Sequence, residues 1–376
     1  MYIAILGNNP DLSRAELEAH YQAITPCGDE AALFEGDLYK HLGGSSKIAE
    51  LKATLPTTDR KEIADYILES ILDDIDVPHK KMSIGLSIYG EIWREYKKLV
   101  FELKKQARKN GIKPRMVLGK KQSVSSAQIL WNHLTDQDKG LEIVVCIGKD
   151  CTYIGRTVWV QDIESYSLRD MQRPHRDMNV GMLPPKLAQI MVNLAGGDYI
   201  FDPYCGSGVI LQEALLMGKK AGGSDLSPRM VDATSENLAW LKAHFKIDTA
   251  ETVFEADART VSIPKEVDSI VTEGYLGPLQ HGNTSKEDLL KLADDSSDLM
   301  SETLKNLHQQ LADGARLCIA LPAWAHGQGV ILPPLVDSVE KLGYNRIRLN
   351  NTLASDLLYM RDKQFVGRQL ILLEKR

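Results

Sequence analysis

The segment 200–208, Ile-Phe-Asp-Pro-Tyr-Cys-Gly-Ser-Gly, constrains the fold of this chain more than any other. An apolar strand ends in the acid Asp202, and a glycine-rich turn then opens a helix that we predict from Val209 to Met217. Gly206 and Gly208 let a ligand approach the backbone closely, because glycine has no side chain. The N-terminus of a helix favours a carboxylate or phosphate. The third glycine of the dinucleotide fingerprint is missing, which argues against a pyrophosphate cofactor.

From Lys186 onward, helical segments alternate with short apolar strands. We expect the strands at 198–202, 220–224, 252–255, 267–272 and 315–321. This alternation predicts an α/β, Rossmann-like fold, a mostly parallel sheet with helices on both faces. The segments 345–350 and 369–374 are predicted to form an antiparallel pair that finishes the sheet.

Two more acids follow the next strands of this predicted sheet, Asp225 after 220–224 and Asp257 after 252–255. An acid in the position of Asp225 accepts hydrogen bonds from ribose hydroxyls, and Asp257 can hold an adenine amino group. Asp202 would face an ammonium group, and the glycine turn a carboxylate. Any one acid alone is better explained as a turn residue or helix cap. The ordered set of three favours a site for an adenosine that carries a charged methionine tail.

The first 160 residues mix strands and helices. Ser13 is the predicted N-cap of the first helix, with Glu16 completing a capping box, and Gly111 is expected to cap the helix that ends near Lys109. Residues 161–185 are rich in Arg, Asp and Pro and predict a linker or functional loop. The expected strands are 2–6, 82–89 (half exposed), 114–118, 141–147 and 152–159, and the expected helices are 11–19, 59–76, 93–109 and 125–134.

Charge is distributed unevenly along the chain. The net charge is −6, yet residues 79–121 carry 13 Lys/Arg against 3 Asp/Glu. Such a block suggests contact with a polyanion, although a solvated helix face explains it equally well. The five cysteines form no CxxC pair, which fits a reducing cytosol and argues against a metal site. No apolar run reaches the roughly 20 residues that a membrane helix needs, and residues 1–7 have no basic flank typical of a signal peptide.

Residues 182–225 resemble the class I methyltransferase domain of THUMP-containing tRNA guanosine-N2 methyltransferases. The N-terminal ferredoxin-like segment of that family is similar to two parts of this chain, residues 6–13 with 15–17 and residues 41–44 with 47–50. The resemblance implies an α+β ferredoxin-like/THUMP RNA-binding region before the methyltransferase domain. The implied divisions are 1–54 (ferredoxin-like), 55–160 (THUMP-like), 161–185 (linker and cofactor-entrance loop) and 186–376 (methyltransferase).

The resemblance also implies S-adenosylmethionine as cofactor and tRNA as partner, with a small protein activator among the partners that it allows. It implies a cytoplasmic enzyme without a membrane segment or metal. The residues expected to bind the cofactor are Asp202, Tyr204, Cys205, Gly206, Ser207, Gly208, Asp225, Leu226, Asp257 and Ala258.

The catalytic loop of amino-group methyltransferases follows the fourth strand, usually as Asp or Asn, two prolines and an aromatic residue. Its acid and the first proline carbonyl orient the target amine, and its aromatic ring stacks on the base. Here Glu273, Gly274 and Tyr275 occupy the loop, both prolines are missing, and glycine is expected to make the loop more flexible. The pattern predicts either a variant amine-methylating loop, which we favour, or a degenerate loop on a non-catalytic RNA-binding protein.

Phosphate contacts are expected from basic residues of the first 160 residues, giving salt-sensitive affinity. The candidates are Lys97, Lys98, Lys104, Lys105, Arg115, Lys120, Lys121 and Arg156. Two other functions remain open. A DNA amino-methyltransferase would use the same catalytic chemistry, and a non-catalytic tRNA-binding protein would keep the cofactor fold.

Overall fold

The computed structural model describes residues 1–70, 81–176, 182–278, 284–362 and 364–376. These residues form two compact units. The first comprises Met1–Leu17, Tyr21–Lys40 and Gly44–Ile163, and the second comprises Glu18–His20, His41–Gly43 and Glu164–Arg376. The predicted segments 1–54 and 55–160 lie largely in the first unit and share one sheet. Their separation into two domains stays a prediction.

The first unit is built on an eight-stranded sheet in the order β2-β3-β1-β4-β8-β7-β5-β6. Strand β5 pairs in parallel with both β6 and β7, and the other pairs are antiparallel. The strands are β1 (Tyr2–Leu6), β2 (Ile24–Cys27), β3 (Ala31–Phe34), β4 (Ser45–Leu55), β5 (Lys81–Tyr89), β6 (Lys113–Val117), β7 (Gly140–Ile147) and β8 (Thr152–Val160).

In the described part of the chain, four helices accompany this sheet: α1 (Pro10–Tyr21), α2 (Arg60–Glu69), α3 (Tyr96–Lys109) and α4 (Ser126–Trp131). Ile67 of α2 and Leu103 of α3 pack in one apolar cluster with Ile84 and Ile143 of the sheet. Leu103 thus lies on the buried face of α3. Gly111 follows α3 with φ +80°, the left-handed conformation expected of a C-terminal cap. The predicted residues 71–76 of the second helix lie outside the described residues.

The predicted N-cap of the first helix is wrong. Helix α1 begins at Pro10, where the fixed φ of proline suits a first helical residue. Ser13 lies inside the helix, and its hydroxyl donates to the carbonyls of Asn9 (2.9 Å) and Gly44 (2.7 Å). The Glu16 carboxylate accepts from the N–H of Gly44 (2.8 Å). The two polar side chains thus fasten the helix to a neighbouring turn.

The prediction that strand β5 is half exposed is also wrong, since Ile84 to Tyr89 are all buried. The small and polar residues of the alternating pattern face a second layer of protein. Gly85 lies against Val124 and Leu134, and the Ser87 hydroxyl donates to Glu142 (2.6 Å).

A fully buried ion pair joins two strands of the first unit. Lys47 on β4 donates to the carboxylate of Glu142 on β7, and Thr157 on β8 donates to the same carboxylate. The Lys47 ammonium also donates to the carbonyl of Val124 (3.0 Å). Because the pair is satisfied, removing one partner would leave a buried charge, a change that typically costs about 3–5 kcal/mol.

The second unit has a nine-stranded sheet with the path β11-β10-β9-β12-β13-β17-β15, to which β14 and β16 add at β13 and β17. Strands β11, β10, β9, β12 and β13 are parallel, and β17 is antiparallel to β13 and β15. The predicted parallel sheet and its antiparallel finish are confirmed. The strands are β9 (Tyr199–Asp202), β10 (Lys220–Asp225), β11 (Glu251–Glu255), β12 (Ser269–Glu273), β13 (Arg316–His326), β14 (Gly329–Ile331), β15 (Tyr344–Arg346), β16 (Leu358–Tyr359) and β17 (Val366–Lys375).

Helices cover this sheet: α6 (Pro185–Ala195), α7 (Val209–Leu216), α8 (Pro228–Phe245), α9 (Lys286–His308) and α10 (Leu335–Ser338), with 3-10 turns at Val339–Leu342 and Ala354–Asp356. Strand β9 has β10 on one side and β12 on the other, so the chain order reverses at β9. Ligands of such sheets bind outside the carboxyl ends of the strands at this switch point. Among the described residues, every helix is too short or too polar to cross a lipid bilayer.

The expected loop at 161–185 contains a helix, α5 (Ile163–Met171). The buried residue of this helix is the charged Arg169, and the helix has no buried apolar stripe. The spacing of apolar residues therefore did not predict it. Arg169 is buried and donates to both carboxylate oxygens of Glu213 on α7, at 2.6 and 3.0 Å. Arg169 therefore pairs with an acid outside its own segment.

Candidate active site and basic surfaces

A cavity of about 420 Å³ opens in the second unit, beyond the carboxyl ends of its parallel strands. Nine of the ten residues predicted to bind a cofactor line this cavity, and so do Glu273, Gly274 and Tyr275. Gly208 is the exception. Sequence reasoning missed other lining residues: Met182, Leu183, Pro203, Val209, Ile210, Met230, Arg259, Leu276 and Leu299.

The two glycines of the turn have different tasks. Gly206 has φ +51°, and a side chain there would meet nothing closer than 3.9 Å, so its backbone borders open space. Gly208 has φ +81° and begins helix α7, where a Cβ would lie only 2.8 Å from Thr234 of α8. Gly206 is therefore suited to ligand approach, and Gly208 to close packing of the turn against α8.

Asp225 lies at the end of β10 beside this turn. Its carboxylate accepts hydrogen bonds from the backbone N–H groups of Gly206 (3.0 Å) and Ser227 (2.9 Å). Each carboxylate oxygen has a second lone pair, so the group can still accept from two neighbouring hydroxyls. Leu226, the next residue, is exposed at the cavity.

Asp202 is the most deeply buried acid of the cavity, with 2% of its surface exposed. Its Oδ1 accepts from the Thr272 hydroxyl (2.6 Å) and from the N–H of Tyr204 (3.0 Å). Burial raises the pKa of Asp202 to about 7; the two hydrogen bonds oppose the shift, and the charges of Asp225 and Glu273 add to it. A cation entering the cavity would stabilise the ionised carboxylate.

The third strand-end acid, Asp257, is paired within its own loop. The Arg259 guanidinium donates to both of its oxygens, at 2.6 and 3.0 Å, and this hydrogen bonding lowers the pKa of Asp257. Arg259 lines the same cavity. A ligand that approaches Asp257 therefore meets a paired carboxylate together with a cation.

The end of β12 and the loop that follows it are held by three hydrogen bonds. Glu273 Oε1 accepts from Nε of Arg368 on β17 (2.7 Å), and the N–H of Gly274 donates to the carbonyl of Ala320 on β13 (2.9 Å). Burial raises the pKa of Glu273, and the charge of Arg368 opposes this. The Tyr275 side chain is 52% exposed at the cavity, and its carbonyl accepts from the Ser296 hydroxyl (3.4 Å).

The predicted RNA-binding residues are all in the first unit, on several surfaces. Lys97, Lys98, Lys104 and Lys105 lie on α3, away from its buried residues Leu99 and Leu103, while Lys120 and Lys121 follow β6. Lys105 is paired with Glu102 (3.1 Å). Arg156 on β8 is half-buried and donates to the carbonyl of Gly140 (3.2 Å).

Arg115 belongs to a different surface, a basic cavity of about 490 Å³. Among the residues that the structure describes, five cationic residues and no acidic residue line this cavity: Lys81, Arg108, Lys113, Arg115 and Lys139. Lys139 is paired with Asp136 (2.9 Å), which does not line the cavity. Only Arg115 of the five was named as an RNA-binding candidate, although Lys81, Arg108 and Lys113 lie in the basic block 79–121. The five come from β5, α3, β6 and the turn before β7, so the sequence does not show that they meet.

Comparisons with known proteins agree with this geometry. Residues 173–326 match the family described as RMKL-like, methyltransferase domain. Two curated relatives are named tRNA (guanine(10)-N2)-dimethyltransferase. The protein of Methanothermobacter thermautotrophicus is 39% identical over 42% of this chain and 45% of its own length. That of Methanocaldococcus jannaschii is 34% identical over 39% of this chain and 42% of its own length.

The chain therefore spans less than half the length of these curated relatives. The crystal structure of TrmN from Thermus thermophilus has the same fold: it covers all of this chain and 99% of its own length, with a TM-score of 0.52 and 15% identity. The predicted fold class is confirmed. Residues 173–326 match the RMKL-like methyltransferase domain, and the unit that contains them has the Rossmann-like class I methyltransferase fold.

Proposed function

We propose that this chain is an S-adenosylmethionine-dependent methyltransferase that acts on the exocyclic N2 amine of a guanosine in tRNA. The observation that carries the proposal is the convergence of three strand-end acids, the glycine turn and the Glu273–Tyr275 loop on one cavity. The two relatives named tRNA (guanine(10)-N2)-dimethyltransferase support the choice of substrate.

The residues of the cavity fit this cofactor in chemical type. Asp202 offers a buried carboxylate to the ammonium of the methionine tail, and the open backbone at Gly206 leaves room for its carboxylate. Asp225 has lone pairs left for the ribose hydroxyls, and Asp257 with Arg259 borders the adenine side. When bound, the cofactor supplies an electrophilic methyl group.

The chain has to present the amine to that methyl group. The Glu273 carboxylate accepts a hydrogen bond from the amine and so directs its lone pair, which is a positioning effect. The Gly274 carbonyl is the second candidate acceptor, and Tyr275 is exposed for stacking on an extruded base. Glu273 does not need to remove a proton beforehand, because the amine can lose its proton after the attack.

The first unit would bind the RNA backbone through its basic surfaces. The cavity lined by Arg115 and four other cations suits a phosphate group, and the lysines of α3 and the following loop add to the positive field. We assign this activity to the cytoplasm, which the free cysteines Cys27, Cys146, Cys151, Cys205 and Cys318 favour. A small protein activator stays a prediction of the family resemblance.

Mass spectrometry of nucleosides tests the proposal. Unmethylated tRNA and duplex DNA are incubated separately with the protein and with cofactor carrying an isotopically labelled methyl group. We expect labelled N2-methylguanosine from tRNA alone, and the number of labels per base distinguishes monomethylation from dimethylation. Label in DNA would support a DNA amino-methyltransferase. Cofactor and tRNA binding without label in any nucleoside would support the non-catalytic alternative.

A further inference from the structure

Arg368 reaches the candidate catalytic loop from a strand that is not its neighbour. Glu273 on β12 is in register with Ala320 on β13, and Ala320 is in register with Leu370 on β17. Arg368 lies two residues before Leu370, hence on the same face of β17 and nearer the carboxyl ends of the parallel strands. Its side chain crosses above β13, and its Nε donates to Oε1 of Glu273 at 2.7 Å.

We propose that Arg368 is a positioning residue that orients the Glu273 carboxylate toward the target amine; this inference rests on the function proposed above. The guanidinium holds Oε1. Among the described residues, Oε2 of Glu273 has no hydrogen-bond partner, and the side chain lines the cavity. One oxygen is thus fixed by the protein, and the other is left to accept from a substrate.

Burial makes this pair more than a surface contact. The side chain of Arg368 is 3% exposed and that of Glu273 is 17% exposed, so solvent screens their attraction little. Glutamate has one more rotatable bond than aspartate and loses more rotamer freedom when it is fixed. An arginine that holds one carboxylate oxygen restricts that freedom before the substrate binds.

The backbone of the loop is fixed on the other side. The N–H of Gly274 donates to the carbonyl of Ala320, a bond that proline could not make because it has no N–H. Glu273 is therefore restrained through both its side chain and its following peptide. These two contacts give the loop a definite geometry without prolines.

The ionisation of the Glu273 carboxylate depends on the charged side chains that lie near it. Arg368 comes from β17, and the Asp202 carboxylate comes from β9. The neighbours of Gly274 from α9 and β13 are uncharged, namely Met300, Ala320 and Leu321. Lys186, the charged residue of α6, lies over the Tyr166 ring at 5.2 Å. Among the described residues, Arg368 is thus the cation that opposes the rise in the pKa of Glu273 that burial causes.

Methylation kinetics test the assignment. Single-turnover rates on tRNA at saturating cofactor are measured across pH for wild type, Arg368→Met and Arg368→Lys, with Arg316→Met as the control. Arg316 is exposed at the opposite end of β13. We expect the single-turnover rate of Arg368→Met to be about 10²-fold lower, as when one transition-state contact is lost. The acidic limb of its pH–rate profile should also move to higher pH. Arg368→Lys should recover part of both effects, and Arg316→Met should equal wild type.

Two controls separate orientation from general damage. The affinity for S-adenosylhomocysteine, measured by calorimetry, should be the same in wild type and both Arg368 variants. If Arg368→Met does not fold, the comparison uses Arg368→Lys, whose rate should fall with a smaller shift of the acidic limb. The proposal would be overturned if the folded variants had the wild-type rate and the same acidic limb of the pH–rate profile as wild type.

A titration that needs no RNA keeps this inference distinct from the proposed function. Carbon-13 NMR of protein labelled at glutamate carboxyls, with the Glu273→Gln variant to assign the signal, follows the ionisation of Glu273 directly. The signal should titrate at higher pH in Arg368→Met than in wild type. An identical titration would overturn the role of Arg368, whereas wild type that methylates no tRNA would overturn only the function proposed above.

Discussion

The backbone N–H of Gly206 donates to Oδ2 of Asp225 across 3.0 Å, so the glycine turn after β9 and the end of β10 are held together by one hydrogen bond. The same carboxylate holds the N–H of Ser227 at the start of α8. Asp225 therefore shapes this end of the cavity, and its remaining lone pairs are the acceptors that we propose for a ribose.

Asp225→Ala should weaken S-adenosylmethionine binding by about 10- to 100-fold, the range expected when a hydrogen-bonding charged group is lost. Calorimetry measures the affinity. The matched control is Asp232→Ala, since Asp232 is exposed on α8 and does not line the cavity. Equal affinity in wild type and Asp225→Ala would refute the ribose assignment.

Cofactor affinity should depend on pH through Asp202. Its pKa of about 7 means that the carboxylate is largely protonated below neutrality, whereas an ammonium partner requires the ionised form. Binding should then release a proton, and the affinity should fall about tenfold per pH unit once the pH is below that pKa. Calorimetry in buffers with different ionisation enthalpies counts the protons. Asp202→Asn should bind more weakly and lose this dependence; a flat profile in wild type would contradict the assignment.

Glu273 and Tyr275 should matter for turnover far more than for cofactor binding. Glu273→Ala removes the amine acceptor and should slow single-turnover methylation about 10²- to 10³-fold, whereas Glu273→Gln keeps an acceptor and should retain some activity. Tyr275→Ala should lose stacking worth roughly 1–3 kcal/mol per base. Glu287→Ala, at the exposed start of α9, is the control. An unimpaired Glu273→Ala variant would show that the amine is oriented by another group.

RNA affinity should depend on two basic surfaces. The set Lys104, Lys105, Lys120 and Lys121→Ala tests α3 and the loop after β6. The set Lys81, Lys113 and Arg115→Ala tests the basic cavity. Each lost phosphate contact should reduce the salt slope of binding by roughly 0.7–0.9. Lys61 and Lys149→Ala, both exposed in the first unit, are the control. If the substitutions on one surface leave the salt slope of RNA binding unchanged, the basic residues of that surface contact only solvent.

We expect a proline in the loop to impair the proposed activity, although prolines are usual in the corresponding loop of amino-group methyltransferases. Gly274→Pro removes the N–H that donates to Ala320 and leaves that carbonyl without its partner, a loss of about 1–3 kcal/mol. Gly274→Ala keeps the bond and brings its Cβ within 3.1 Å of the flexible end of Met300. The midpoint temperature of thermal unfolding and the single-turnover rate should both be higher for wild type and Gly274→Ala than for Gly274→Pro. A Gly274→Pro variant faster than wild type would contradict this account.

The strand-end acids could be predicted because their signal is local. Asp202, Asp225 and Asp257 each directly follow an apolar strand, and a parallel sheet brings such ends to one edge. Arg368 could not be found this way, since it contacts Glu273 across 95 residues of sequence. A signal was nevertheless present: Arg368 is a charged residue in a strand of otherwise mostly apolar residues, and buried charges are nearly always paired.

In the first unit as well, features set by neighbouring residues could be predicted, whereas features set by residues distant in the sequence could not. The helix boundaries of α3 and its cap at Gly111 follow from neighbouring residues. The polar positions Ser87 and Glu142 look like solvent-facing positions of strands, but Lys47 and Thr157 from two other strands cover them. A period-two pattern cannot distinguish water from a buried polar partner, so β5 was predicted to be half exposed.

The late position of β17 in the chain has a consequence for synthesis. A nascent polypeptide that has emerged from the ribosome only as far as β15 already contains Asp202, Asp225 and Glu273, but not Arg368. Because a domain generally folds as a unit, and β17 lies between β13 and β15 in the sheet, we expect the cavity to be completed only after β17 has been synthesised. Binding of the methyl donor and orientation of the acceptor would then become possible at the same stage.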